Sequence, residues 1–383
     1  MLIVLEKTGG NHEHAKSGAI VQFAAGWDWI QSTPDRNVGV WNRVEVDWLD
    51  GVVRMKDAFV NVLNVSDAGG EASTALPLGD DRHVSAWLEL SVSADVFGYR
   101  GEIVKGAVSY WITPSTNTSN VLLSDTVKDV VFLSSTQEVP LGTVFLRDVK
   151  LWWPHTHSER QYQPLYRLHV QFRSEDGGGV HQTQAEFGVR TVSSFTHPRT
   201  KSFALKVNGH PIFLVGGNWV TTDQFLRFAG SKTRYFHELL LLRNAGFNCV
   251  RVWGGGVSET DPFFESADSL GLLVYQEFWF TGDNNGRWAG SHDWPVDHGA
   301  FLSNARDVIV RLRNHPSLAW YGGGNELYPL PSDASRSDVS PPFMIEKELR
   351  SFISSLDGSR PYITSSVTEI GDSFDSQRSL APK

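Results

Sequence analysis

The chain carries two patterns of apolar and polar residues, which meet near residue 195. In the first part apolar and polar residues alternate, for example at 44–48, 83–92 and 166–172. Alternation with a period of two is typical of antiparallel strands that have one face in water. Several such strands separated by glycine-rich turns predict a β-sandwich.

After residue 195, continuous apolar runs separated by amphipathic stretches replace the alternation. Ser231 is suited to begin one helix, and Gly246 and Gly271 are suited to end two of them. Apolar strands that alternate with amphipathic helices indicate parallel βα units. The pattern predicts strands at 212–216, 248–253, 272–277, 318–322 and 360–364, and helices at 232–245, 262–270, 301–313 and 341–356.

Two architectures contain such units, the doubly wound sheet and the (β/α)₈ TIM barrel. A doubly wound sheet is possible, but polar residues directly after each strand favour the barrel, whose chemistry lies at the carboxyl ends of its strands. A complete barrel typically takes about 250 residues, and the sequence ends at residue 383. We therefore expect four or five barrel strands in these residues, an incomplete barrel.

Composition and charge exclude several function classes. The 14 tryptophans fit either sandwich cores or a carbohydrate site in which rings stack on sugar faces. A net charge of −9 argues against a nucleic-acid partner, which needs a basic face. The single cysteine, Cys249, excludes an internal disulfide and is predicted to fill the core. No apolar run is long enough to predict a membrane span or a signal peptide, so localisation stays unassigned.

Polar, aromatic and glycine residues follow the predicted barrel strands and would meet at one end of the barrel. Stacking faces and hydrogen-bonding groups of this kind suit a neutral, polyhydroxylated ligand. The glycines at 254–256 lack the spacing of a dinucleotide-binding loop, and no lysine-containing phosphate loop is present. The candidate residues are Asn218 after the first strand, Trp253 after the second, Trp279 and Asp283 after the third, and Asn325 and Glu326 after the fourth.

Glu326 is suited to acid catalysis because it follows an apolar strand among glycines and aromatic residues. Hydrolysis of a glycoside needs one carboxylic acid that protonates the leaving oxygen and a second carboxylate. Asn325 could bond to the 2-hydroxyl of the sugar. The alternative interpretation is a solvent-facing Asn-Glu pair at a helix start, and the polar residues at the other strand ends favour the catalytic one.

The strand-end motifs resemble a known family. They are Val215-Gly-Gly-Asn-Trp219, Asn248-Cys-Val-Arg-Val-Trp-Gly-Gly-Gly256, Tyr275-Gln-Glu-Phe278 and His315-Pro-Ser-Leu-Ala-Trp-Tyr-Gly-Gly-Gly-Asn-Glu326. These motifs resemble glycoside hydrolase family 2, above all its branch of β-mannosidases, exo-β-glucosaminidases and plant mannosylglycoprotein endo-β-mannosidases. Residues 25–29 and 34–41 resemble the end of the family's sugar-binding jelly roll, and residues 187–191 resemble its join into the barrel.

The resemblance implies three domains and a set of roles. Residues 1–55 would be the C-terminal part of a galactose-binding-like jelly roll, 56–195 an immunoglobulin-like β-sandwich and 196–383 the first part of a TIM barrel. No cofactor or metal is implied, and the partner would be a β-mannoside or an N-glycan oligosaccharide. Glu326 would be the general acid/base and Asn325 its partner, with Trp253 and Trp279 lining the subsite wall and Asn218, Asp283, Trp27 and Asp28 as further contacts. For Trp27, packing within the sandwich is an equal alternative.

The family's nucleophile is a glutamate on a later barrel strand. Glu346, Glu348 and Glu369 follow Glu326, but none matches the nucleophile motif. We therefore expect residues 1–383 alone to show little or no turnover. The alternatives to a retaining β-mannoside hydrolase are an inactive carbohydrate-binding remnant and an exo-β-glucosaminidase. A metal-dependent hydrolase is disfavoured, because His155 and His157 precede the barrel.

Overall fold

The computed structural model of the chain describes residues 44–46, 48–49, 51–66, 83–97, 103–133, 136–223, 225–282, 297–328 and 344–366. The predicted jelly-roll loop with Trp27 and Asp28, and the candidate Asp283, lie outside these ranges. No helix of the described ranges is long and apolar enough to cross a membrane.

Two antiparallel sheets form the predicted sandwich. One has the order β1-β2-β5, with β1 at Val53–Ser66, β2 at His83–Val96 and β5 at Gln137–Lys150. The other has the order β4-β3-β6-β7, with β3 at Val104–Pro114, β4 at Leu123–Phe132, β6 at Tyr166–Ser174 and β7 at Val180–Phe187. Their inner faces bury one core that includes Leu88, Leu90, Val108 and Leu168. The alternation in the sequence arises because only one face of each sheet is buried.

A small third sheet, which the sequence did not predict, follows the sandwich. It has the order β10-β9-β8, with β8 at Val192–Thr196, β9 at Phe203–Val207 and β10 at His210–Ile212. Its Leu205 and Val207 pack with Cys249, Tyr275 and other residues of one face of the parallel sheet. Cys249 is a buried free thiol, as predicted, and burial raises its pKa to about 12.

Five parallel strands in sequence order form the last sheet. They are β11 (Gly216–Trp219), β12 (Cys249–Val252), β13 (Leu273–Glu277), β14 (Leu318–Gly322) and β15 (Tyr362–Ile363). A doubly wound sheet would reverse its strand order at a switch point, whereas sequential order is that of a barrel wall. The predicted barrel architecture is confirmed for the described residues, and the exact domain boundaries stay predictions.

The prediction of the first barrel strand at 212–216 was wrong. Ile212 ends β10, and the barrel strand begins at Gly216 and contains the polar Asn218. The apolar run was misleading because its two ends belong to different sheets, and residues 213–215 connect them. The edge strand itself is largely exposed and needs no apolar sequence.

Helices cover the outer face of the parallel sheet. They are α1 (Lys232–Asn244), α2 (Asp261–Leu270), α3 (His298–Leu312), a π-helical turn (Met344–Leu349) and α4 (Arg350–Leu356). Ser231 caps α1 by accepting a hydrogen bond from the Arg234 amide, as the sequence predicted. Gly271 ends α2 in the left-handed conformation, with φ of 71°, which glycine adopts without steric cost.

Polar side chains join the sandwich to the base of the barrel. Arg190, which is buried, donates to the carbonyl oxygens of Pro316 and Leu318 at 2.7 and 2.6 Å. Asn314 accepts from the Val60 amide at 3.0 Å and donates to the Ala58 oxygen at 2.8 Å. These bonds hold the segment that enters β14 and thereby place the carboxyl end of that strand.

Candidate active site

Arg251 lies at the centre of the carboxyl ends of the parallel strands. Its guanidinium donates to Asn218 Oδ1 at 2.9 Å, to Glu277 Oε2 at 2.8 Å and to Asn325 Oδ1 at 2.6 Å. One side chain on β12 therefore joins residues from β11, β13 and the segment after β14. The strand ends that the sequence predicted to meet are brought together by a residue that the prediction left out.

Glu277 is the anchor of this network. Its side chain is fully buried, and its Oε2 accepts from both Arg251 and the Gly254 amide, each at 2.8 Å. Burial of the guanidinium acts to lower the pKa of Arg251, but Glu277, together with Tyr275 and Glu326, outweighs it, so the pKa lies above the ordinary value. Arg251 is thus a fixed positive charge.

Asn325 and Glu326 lie on a short loop that packs against the segment after β13. The backbone N–H of Asn325 donates to the backbone oxygen of Phe280 at 2.8 Å. The backbone oxygen of Asn325 accepts from the backbone N–H of Gly282, also at 2.8 Å. Glu326 has a φ of 55°, a region that residues other than glycine rarely occupy and that recurs at functional sites. Its amide bonds to Ser366 Oγ at 3.3 Å, and the next amide, of Leu327, bonds to Ser365 Oγ at 3.0 Å.

Glu326 is half-buried, and its charge contributes to raising the pKa of Arg251. Asn325 and Glu326 are therefore held beside a permanent cation at the end of a strand. In this arrangement the Glu326 carboxyl group can reach a ligand, while Arg251 fixes the side-chain amide of Asn325.

The loop after β12 passes close to the segment after β13. A Cβ atom at Gly254 would lie 2.7 Å from the carbonyl oxygens of both Phe278 and Phe280, so only glycine fits without displacement of the backbone. A Cβ atom at Gly255 would lie 2.0 Å from the ring of Trp253. The tryptophan ring therefore lies against this glycine.

Both tryptophans predicted for the subsite wall are largely buried. Trp253 is 6% exposed, and Trp279 is 9% exposed in the core between the sheet and its helices. The ring centroid of Trp279 lies 5.5 Å from that of Phe301 on α3. A role in sugar contact stays a prediction for both residues.

Glu259 is a second buried carboxylate that the sequence reasoning missed. Its Oε1 accepts from Trp219 Nε1 at 2.9 Å, and its Oε2 accepts from the Tyr235 hydroxyl. Burial raises the pKa of Glu259, although the bonds from Tyr235 and Trp219 and the nearby Arg311 act to lower it. Glu259 therefore joins the end of β11 to α1 on the outer face of the sheet.

This raised pKa predicts a pH dependence of stability. The folded state holds the Glu259 proton more tightly than the unfolded state, so the free energy of unfolding falls as pH rises from the ordinary value of 4.5 through the folded pKa. Glu259→Gln keeps the shape and cannot ionise. We expect urea unfolding at pH 4 to 7 to show wild type losing stability relative to Glu259→Gln as pH rises. If the difference in free energy of unfolding between the two proteins stayed constant with pH, or shifted in favour of wild type, the prediction would be wrong.

Arg251 and Glu277 stand in the strand-end motifs of the sequence, but no role was predicted for either of them. Arg251 and Glu277 are charged residues within apolar strands, and a buried charge requires a partner. The pairing was not predicted because the sequence does not show that the two strands are neighbours in register. Among the described residues, no group of three or more His, Cys, Asp or Glu side chains could hold a metal ion.

A large groove lined by described residues lies away from this site. It has a volume of about 1070 Å³ and runs between the sandwich, at Asn61 and Trp87, and the barrel base, at Arg313 and Arg360. Arg313 and Arg360 precede β14 and β15, so the groove is at the amino ends of the strands. Conserved chemistry of TIM barrels is found at the opposite end, and we assign the groove no catalytic role.

The chain is similar to known glycoside hydrolases. Residues 71–190 match the family described as Glycosyl hydrolases family 2. The chain is 32% identical over 380 residues to the mannosylglycoprotein endo-beta-mannosidase of Lilium longiflorum, a match that covers 94% of this chain and 37% of the lily protein. The resemblance to glycoside hydrolase family 2 is confirmed. The chain spans little more than a third of the length of the curated relatives it matches.

Two solved structures of similar proteins agree with the fold. The beta-D-mannosidase of Dictyoglomus thermophilum matches with a TM-score of 0.66 and 24% identity, over 94% of this chain and 40% of that one. The exo-chitosanase of Amycolatopsis orientalis, in a complex with PNP-beta-D-glucosamine, matches with a TM-score of 0.67 and 25% identity, over 89% of this chain and 35% of that one. These matches support the arrangement of sandwich and barrel in the chain.

Proposed function

We propose that this protein hydrolyses β-mannosidic linkages with retention of configuration, with Glu326 as the general acid/base. The observation that carries the proposal is the Arg251 network, which fixes Asn325 beside Glu326 at the carboxyl ends of parallel strands. The lily relative, named as an endo-beta-mannosidase of glycoproteins, supports a β-mannoside as the substrate and the Man-β-1,4-GlcNAc linkage of N-glycans as a specific candidate.

The network determines which way the Asn325 amide points. A guanidinium can only donate, so the atom that Arg251 contacts must be the oxygen of Asn325. The Asn325 NH₂ group is thereby directed to donate to a ligand, and the 2-hydroxyl of the sugar is the acceptor we assign to it. Hydrogen bonds to this hydroxyl strengthen in the transition state of glycoside hydrolysis.

The chemistry has two steps. In the first, a carboxylate attacks the anomeric carbon, the glycosidic bond breaks, and Glu326 gives its proton to the leaving oxygen. In the second, the Glu326 carboxylate takes a proton from water as the water oxygen attacks the anomeric carbon and releases the enzyme carboxylate. Glu326 ends the cycle protonated, as it began.

The nucleophile is assigned to none of the described carboxylates. Glu277 is fully buried and already accepts bonds from Arg251 and the Gly254 amide. Glu346 lies on the π-helical turn and accepts from the Tyr328 hydroxyl at 2.9 Å. In a retaining enzyme the two catalytic carboxyl groups lie about 5–5.5 Å apart. We therefore expect the nucleophile at this distance from the Glu326 carboxyl group.

A second candidate function is β-glucosaminide hydrolysis, which the complex of the related exo-chitosanase with PNP-beta-D-glucosamine favours. Mannose and glucosamine differ at C2, the carbon whose substituent we assign to Asn325: it carries an axial hydroxyl in mannose and an equatorial amine in glucosamine. The same catalytic residues would serve both substrates, so specificity must be measured.

A substrate screen with product analysis tests the proposal. The full-length protein is incubated with aryl β-mannoside, β-glucosaminide and β-galactoside, and the first anomer released is identified by proton NMR. We expect the mannoside to react fastest and β-mannose to appear before mutarotation. Preference for the glucosaminide would favour the second candidate, an inverted product would contradict the mechanism, and binding without turnover would indicate a carbohydrate-binding remnant.

A further inference from the structure

The first barrel strand, β11, is weakly specified by its own sequence. It has four residues, two of them glycines, and Gly216, Gly217 and Asn218 are exposed at the edge of the described sheet. Glycine-rich strands define their register poorly. Asn218 nevertheless lies 2.9 Å from the Arg251 guanidinium, so contacts outside the strand must fix it.

Side chains fix β11 at its two ends. At the start, Asn248 accepts from the Val215 amide at 2.8 Å and donates to the Phe213 oxygen at 2.9 Å. At the end, the Trp219 indole donates to Glu259 at 2.9 Å. Successive side chains of a strand point to opposite faces, so a Trp219 ring held on the outer face directs Asn218 towards Arg251.

Glu259 can act as a fixed point because its own loop is held at both ends. The loop after β12 begins with the Gly254 amide bonded to Glu277 at 2.8 Å. It ends where Arg311 of α3 donates to the Glu259 backbone oxygen at 2.8 Å and to Asp261 at 2.7 Å. The Glu259 side chain is 2% exposed, so solvent does not compete for its bonds.

We propose that Glu259 is a positioning residue, which holds Trp219 so that Asn218 stays bonded to Arg251 in the active site. It touches no substrate and acts through β11. Its effect on turnover rests on the proposed function, whereas its effect on the strand does not.

The first test compares two single substitutions that each remove one bond to Glu259. Trp219→Phe removes the indole donor and keeps an aromatic ring against Tyr235 and Phe263, whose centroids lie 6.3 and 5.1 Å away. Tyr235→Phe removes the bond from α1 and is the matched control. We expect kcat/KM for the aryl β-mannoside to fall about five- to tenfold in Trp219→Phe, as for one lost hydrogen bond, and less than about twofold in Tyr235→Phe. Equal effects would overturn the proposal.

A double-mutant cycle separates positioning from a general structural effect. Asn218→Ala removes the bond to Arg251 directly. If Trp219 acts through Asn218, adding Trp219→Phe to Asn218→Ala should cause no further loss of kcat/KM. Losses that multiply would show that the two residues act independently and would overturn the proposal.

Hydrogen exchange tests the strand without any substrate. We expect the amides of β11 to exchange faster in Trp219→Phe than in wild type, and at the wild-type rate in Tyr235→Phe. Unchanged exchange in Trp219→Phe would overturn the anchoring role of Glu259. If wild type hydrolyses none of the aryl glycosides, the proposed function fails, while hydrogen exchange still decides whether Glu259 fixes the strand.

Discussion

Glu326→Gln is expected to lower kcat by about 10²–10⁴-fold on a β-mannoside with a poor leaving group, the range that general acid catalysis contributes. An amide has nearly the shape of the carboxyl group but cannot deliver a proton to the leaving oxygen. Binding should be largely spared, because Arg251 orients Asn325 through a separate bond. Steady-state kinetics of the full-length protein on a methyl or oligosaccharide mannoside provides the measurement.

The leaving group supplies an internal control. A 2,4-dinitrophenyl group departs without a proton, so the first step should be much less affected and the glycosyl-enzyme should accumulate, giving a burst of phenolate. Glu348→Gln is the matched variant, since this glutamate lies on the π-helical turn with a side chain 40% exposed. Full activity of Glu326→Gln on the methyl mannoside would show that the acid/base assignment is wrong.

Arg251→Met is expected to destabilise the protein and to reduce turnover together. The Glu277 side chain is 0% exposed and would lose its cationic partner while the bond from the Gly254 amide remains. Breaking a buried ion pair by removing one partner costs about 3–5 kcal/mol. Loss of the guanidinium also frees Asn218 and Asn325, and misplacement of groups in an active site costs about 10²-fold in rate. Urea unfolding and kcat/KM measure the two effects.

A double variant separates these two effects. Arg251→Met combined with Glu277→Leu removes both charges and leaves apolar side chains of similar size. Replacement of a buried pair by apolar residues is often neutral or stabilising, so we expect most of the lost stability to return. Turnover should stay low, because Asn325 still lacks the donor that orients it. Recovery of activity together with stability would show that Arg251 has only a structural role.

The presence of the parallel strands and of the helices between them could be predicted from the sequence because each element depends on a local pattern. Residues 272–275 form a continuous apolar run since helices and the small sheet bury both faces of β13, and all residues of that strand are buried. Ser231 and Gly271 mark helix ends through their own hydrogen-bonding and backbone properties. These features act over a few residues, so a single sequence displays them.

The position of Asn325-Glu326 after β14 was also readable, because a short turn separates it from an apolar strand. The small sheet β8-β9-β10 was not predicted, since its strands have three to five residues and little periodicity. Ile212 looked like a barrel strand because local sequence does not show which of two sheets buries an apolar residue.

By itself, the sequence determined the sandwich, the parallel units and the polar strand ends, because each follows from periodicity or from neighbouring residues. Only the tertiary structure decided that Arg251 joins Asn218, Glu277 and Asn325, and that Glu259 bonds to Trp219. Those partners are separated by 26 to 74 residues in the Arg251 network and by 40 in the Glu259–Trp219 bond. They meet because the strands lie side by side in a defined register, which burial of the whole sheet fixes.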